Sequence, residues 1–138
     1  MLDPDCIFCK IIGGEVPSFK VLEDDRMLAF MDINPANSGH VLVIPKYHAV
    51  DLYDIPDPWL SHSVIAVQAV ARAVRAALRP RGLNIVQANG PGAAQSVQHF
   101  HWHVLPRVPD DNLRLNWGIA PGDMDAIKAT AEKIRSEL

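Results

Sequence analysis

The sequence predicts an α+β fold: one antiparallel sheet of about five strands with helices packed against it. Three observations lead there. Short alternating or continuous apolar runs recur at 18–23, 26–31, 39–45, 83–87 and 99–107. One long stretch beginning near Asp57 instead places apolar residues every three or four positions, the period of an amphipathic helix. The 138 residues show no repeat, linker or low-complexity tract, so they read as a single domain long enough to bury a core without staples.

The elements follow in order. A short helix over about 6–12 is stopped by Gly13-Gly14. Strands near 18–23 and 26–31 are joined by a tight turn at Asp24-Asp25. Asp32 ends the second strand, just before Asn34-Pro35 breaks the run. Residues 39–45 read as a buried strand. Asp57-Pro58 looks like an N-cap followed by proline at the first helical position. Leu60, Val64, Val67, Ala71, Val74 and Leu78 form the apolar face of that helix, while Arg72, Arg75 and Arg79 form a solvated one near its C-terminus. Pro80-Arg81-Gly82 ends it, and strands at 83–87 and 99–107 follow. The tail is less informative. Trp117 could pack near the site or on a partner, though a core anchor is the commoner role. A last helix starts from a cap at Asp123, with Met124, Ile127, Ala131, Ile134 and Leu138 on one side.

Composition narrows the function classes. Hydrophobic content of 49% and charged content of 21% are ordinary for a globular protein. A net charge of −3 gives no reason to expect nucleic acid or an anionic membrane as partner. No apolar run approaches the roughly 20 residues of a membrane span. The opening Met-Leu-Asp-Pro-Asp lacks the basic and apolar regions of a signal peptide, so the cytoplasm is the expected compartment. In that compartment the spacing of Cys6 and Cys9 points to metal or redox chemistry more than to a structural disulfide. A thioredoxin-like pair would follow a strand, and nothing before Cys6 supplies one. Zinc with two thiolates and two imidazoles is the better fit, with His48 and His99 as candidate partners.

The chemistry concentrates in 95–107. His99, His101 and His103 alternate there with Phe100, Trp102 and Val104. On a strand this puts the imidazoles on one face and the apolar side chains on the other. His99 and His103 would stand roughly 13 Å apart, so the three cannot share one small ligand. His101, in the middle, is the expected nucleophile, because a neutral imidazole needs no base to activate it at neutral pH. An amphipathic strand with solvated histidines, or a catalytic zinc on His-x-His, are the other readings of the same pattern. The glycine-bearing loop Asn89-Gly90-Pro91-Gly92-Ala93-Ala94-Gln95-Ser96 favours an anion, since its backbone N–H groups suit a phosphate.

His99-Phe100-His101-Trp102-His103-Val104-Leu105 matches the histidine triad (HIT) signature. Gln95-Ser96, Asp32-Ile33, the run from His40 to His48, and Ile7-Phe8-Cys9-Lys10-Ile11-Ile12 match it as well. The chain thus resembles the HIT family over about 6–107, and within it the Hint-like, prokaryotic zinc-bearing branch. Residues 108–138 would be a C-terminal extension and helix.

The resemblance implies a HIT-like fold, a homodimer, and a purine nucleotide as substrate. Cys6, Cys9, His48 and His99 would hold a structural zinc. Asp32 would accept the ribose hydroxyls, and Val16, Phe30, Ile33 and Leu42 would sandwich the base. His101 would form a nucleotidyl-histidine, its ring oriented by the His99 carbonyl. His103 would contact the phosphate and help the leaving group. Ser96 and the N–H groups of Gln95 and Ser96 would hold phosphate oxygens. Asn89 is a further candidate contact, although it should point the other way if its strand continues. Two positions depart from the pattern: Ala88 where relatives often carry Asn, and Ala94 where they usually carry Gly. If that glycine needs a positive φ, Ala94 would strain or reshape the loop. The expected activity is hydrolysis of a nucleoside phosphoramidate or, second, a dinucleoside polyphosphate. A non-catalytic AMP- or GMP-binding sensor is the alternative.

Overall fold

A computed structural model describes residues 2–115 and 117–138. Trp117 is exposed, so it is not the core anchor that is its commoner role. The elements are α1 (Ile7–Ile12), β1 (Lys20–Glu23), β2 (Met27–Met31), β3 (Val41–Pro45), α2 (Asp57–Leu78), β4 (Gly82–Gln87), β5 (Trp102–Arg107) and α3 (Met124–Arg135), with one 3₁₀ turn at Pro91–Ala93. The strands form one five-stranded sheet in the order β1-β2-β3-β5-β4. Every pairing is antiparallel. The fold is α+β, as the residue pattern predicts.

The sheet is a middle layer, and alternation sorts its residues. Met27, Ala29, Val41, Val43 and Val104 face α2 and pack with Ala66, Val67, Val70 and Val74. Leu28, Phe30, Leu42 and Ile44 face the other way, onto Cys6, Phe8, Cys9 and Ile11 of the α1 segment. β3 is therefore buried along its whole length, which explains its unbroken apolar run. Burying each large side chain of this kind contributes roughly 1.5–3 kcal/mol. Ser63 ties the layers together: its hydroxyl donates to the Leu60 carbonyl at 2.7 Å and accepts from the Trp102 indole N–H at 2.9 Å.

Several boundaries and faces differ from the sequence expectation. The N-cap of α2 is Pro56, with Asp57 inside the first turn and no side-chain cap. Its buried face is Ser63, Ala66, Val67, Val70 and Val74, whereas Val64 and Leu78 are exposed. Residues 63, 66, 67, 70 and 74 follow a helical stripe that position 64 falls outside. The cap at Asp123 is as expected, its carboxylate accepting from Ala126 N–H at 2.8 Å. The apolar side of α3 is left uncovered by the described residues: Met124, Ile127, Ile134 and Leu138 are all exposed.

β5 begins at Trp102, not at His99. The ladder to β3 stops at the Trp102–Val43 pair. Beyond it, Phe100 N–H donates to the Ala49 carbonyl at 2.7 Å. The His99 carbonyl is taken by the His101 ring. These backbone groups have left the ladder for other partners, so two of the three histidines lie just ahead of the strand.

Candidate active site and metal centre

Register builds the floor of the site. Phe30 of β2 pairs with Leu42 of β3, and Leu42 pairs with His103 of β5. These three residues form one row across the sheet on the face away from α2. The row opens into a pocket of about 530 Å³, walled by Ile7, Phe8 and Ile11 of α1, by Val16 and Ser18, and by Asp32 and Ile33 after β2. Ser96, His101 and His103 close one end of it. Of the expected nucleotide contacts, the structure gathers Val16, Phe30, Asp32, Ile33, Leu42, Ser96 and His103 around one cavity.

Asn89 and Gln95 do not line it. The Asn89 amide is held by Gln87 at 2.6 and 2.9 Å, and its oxygen accepts from Leu52 N–H. Gln95 is buried. Its side chain accepts from Gly90 N–H at 2.8 Å and donates to the Val50 and Val97 carbonyls. Its N–H, expected to face phosphate, donates to the Gly90 carbonyl at 3.2 Å. Gln95 thus closes the loop upon itself, and Ala93 and Ala94 N–H are bonded within it too. What the loop turns toward the pocket is Ser96. Ala94 adopts φ 59°, ψ 36°, the left-handed conformation a glycine would take there.

The imidazoles are wired in series. His101 Nδ1–H donates to the His99 carbonyl at 2.6 Å, which leaves its Nε2 without a proton. At the other end, Ala36 N–H donates to His40 Nδ1 at 3.1 Å. His40 therefore carries its proton on Nε2, and this donates to His103 Nδ1 at 2.8 Å. His103 is left with Nε2–H as its donor. His101 and His103 lie 4.9 Å apart between ring centroids, so an acceptor and a donor sit side by side. Burial holds the His101 and His40 rings below the ordinary value of 6.5. It pulls His103 down to about 4, helped by the neighbouring His101 and His40. All are neutral at pH 7. His40 is the residue that sequence reasoning missed.

Cys6, Cys9, His48 and His99 come together at the far end of α1, their donor atoms all within 4.8 Å of one another. Cys6 Sγ and Cys9 Sγ each lie 3.5 Å from His99 Nδ1, and Cys9 Sγ lies 3.4 Å from His48 Nδ1. Zinc bonds of ~2.3 Å to sulfur and ~2.0–2.1 Å to nitrogen give a tetrahedral S···N edge of about 3.5 Å, so the set fits zinc. The outer partners fit as well. His99 Nε2–H donates to the Pro45 carbonyl at 3.0 Å, freeing Nδ1 for a metal. His48 Nε2 lies 3.6 Å from the Asp3 carboxylate. Asp32, His40 and His103 form a second cluster that metal-ligand geometry would allow. There, however, Ala36 N–H holds the proton on the very His40 nitrogen a metal would need.

With this geometry in place, comparison with known proteins is direct. Residues 13–110 match the model of the HIT domain. The chain belongs to the HIT family. It is 38% identical to adenosine 5'-monophosphoramidase HNT1 of Candida albicans over 138 aligned positions, which cover 96% of this chain and 91% of that one. A crystal structure of a HIT family member from Bacillus subtilis superposes with a TM-score of 0.92 at 39% identity, covering 97% of each chain. A Zn-bound histidine triad protein from Mycobacterium smegmatis superposes with a TM-score of 0.75 at 36% identity, covering 97% of this chain and 98% of that one. The HIT fold expected from the triad motif is the fold observed.

Proposed function

We propose that this HIT protein hydrolyses nucleoside phosphoramidates, with His101 as nucleophile. The observation that carries the reading is the 2.6 Å bond from His101 Nδ1–H to the His99 carbonyl, which presents an unprotonated Nε2 at the pocket end where Ser96 and His103 meet. The relationship to an enzyme named adenosine 5'-monophosphoramidase supports the substrate class. His101 Nε2 attacks phosphorus, forming the P–N bond of a nucleotidyl-histidine as the bond to the leaving amine breaks. His103 Nε2–H donates a hydrogen bond that helps the leaving group, and the departing amine takes its proton from water. Water then attacks phosphorus and releases its proton to solvent, the P–N bond to His101 breaks, and the nucleoside monophosphate leaves. Ser96 steadies the phosphoryl oxygens. Asp32 holds the ribose: one of its oxygens accepts from Asn34 N–H at 2.8 Å, and the other remains beside His40 at 3.6 Å. Val16, Phe30, Ile33 and Leu42 sandwich the base.

Zinc on Cys6, Cys9, His48 and His99 is part of the same reading. When bound, it supplies a structural crosslink between the N-terminal segment and the sheet. The exposed apolar side of α3 supports a homodimer, since none of the described residues covers it; sedimentation equilibrium checks this. A sensor that binds AMP or GMP without turnover is the second reading, favoured by Ala88 and Ala94. Single-turnover kinetics with labelled adenosine 5'-phosphoramidate separate the two. Wild type should carry label on His101 after an alkaline denaturant quench, and His101→Ala should carry none. Equal signals from both proteins would remove the hydrolase.

A further inference from the structure

The six residues of α1 serve two sites at once. Cys6 caps the helix and Cys9 lies within it, and both thiols belong to the metal set. Ile7, Phe8 and Ile11 of the same helix line the nucleotide pocket. Phe8, buried between the two cysteines, meets the His99 ring edge-on at 5.8 Å and the His101 ring at 5.3 Å. His99 joins the same two sites by another route, with its ring on the thiols and its carbonyl on the His101 ring.

We propose that α1 couples the two sites. A divalent metal on Cys6, Cys9, His48 and His99 sets Phe8 and the pocket wall, so that metal and nucleotide each tighten the binding of the other. Phe8 is the positioning residue for the His101 ring. The inference rests on the nucleotide-site and zinc readings above.

The physical case is short. A six-residue helix has no stability of its own, so α1 stays where its contacts hold it. Without metal, Cys9 Sγ rests on its contacts of 3.4 and 3.5 Å to His48 and His99 Nδ1, and a thiol makes only weak hydrogen bonds. Metal–thiolate bonds replace that weak restraint with a strong one. The core under α2 contains no residue of α1. The metal-free state is therefore a folded protein with a looser pocket wall. Two ligands that both favour the ordered wall must show reciprocal coupling.

The test uses the whole chain and AMP itself. AMP affinity is measured by calorimetry on zinc-loaded protein and on protein stripped with a chelator, with far-UV circular dichroism confirming that both are folded. Zinc should tighten AMP binding roughly 5- to 50-fold. Saturating AMP should tighten zinc binding by the same factor, read by competition with a chelating dye. Phe8→Leu should bind both ligands with a coupling factor closer to one. Equal AMP affinity with and without zinc, both forms folded, overturns the coupling while leaving the nucleotide site standing. Failure of AMP to bind either form overturns the nucleotide reading, and failure to retain zinc overturns the metal reading; the inference goes with either.

Discussion

His103 reaches its working tautomer through two residues it never neighbours in sequence. Ala36 N–H fixes the proton of His40, and His40 fixes that of His103. A neutral histidine has two tautomers, and only one lets His103 donate to a leaving group. His40→Ala removes that choice. It should lower kcat by about 10- to 100-fold, the range typical of groups that orient another ligand or base, with KM little changed. Steady-state kinetics on an adenosine phosphoramidate check this, and an unaltered kcat would remove the relay. The sequence marks His40 only as the start of a run that fits the family pattern; its role does not show there, because its partner lies 63 residues away. His101 is the opposite case. Its place at the centre of an alternating motif, and the family match, identified it before any geometry was known.

At the scale of elements, the loop from Asn89 to Ser96 carries the clearest departure. The sequence suggested free N–H groups; the structure has most of them bonded, with Gln95 as the internal staple. A loop's backbone partners depend on which groups lie within reach after folding, and composition does not encode that. Ala94 is different, because the glycine expected at that place raised the question of a positive φ. The residue does sit at φ 59°. A non-glycine in the left-handed region costs on the order of 1–2 kcal/mol, partly offset by the freedom glycine has in the unfolded chain. Ala94→Gly should therefore raise stability by about 0.5–1 kcal/mol, seen as a higher urea midpoint at unchanged slope. A lower midpoint would show that the loop carries no strain. β3 and α2 were legible because burial on both faces and a long helical period each leave a pattern that neighbours cannot mimic. The start of β5 was not, because a strand ends where its partners end.

For the molecule as a whole, buried imidazoles dominate the response to acid. His99 and His103 are pulled from 6.5 to about 4, burial being the main cause. In the unfolded chain these rings take up protons below about 6.5; in the fold they stay neutral until about 4. Across that window the unfolded state binds more protons, so the metal-free protein should lose stability as pH falls from about 6.5 to about 4 and level off below. Urea unfolding of chelated protein at a series of pH values measures this. A flat profile over the window would show that the rings accept protons in place.

The order of residues alone determined the fold class, the strand that would be buried on both sides, the two chemical groups of histidines and cysteines, and the middle histidine as the candidate nucleophile. These are local facts, written in period and spacing. Tertiary structure decided which side chains meet: the row Phe30–Leu42–His103, the relay from Ala36 to His103, the withdrawal of Gln95 from the pocket, and the sharing of α1 between the cysteine–histidine cluster and the pocket. Each depends on register or on closure of a long stretch of chain, and a contact made by folding has no signature at either of its ends.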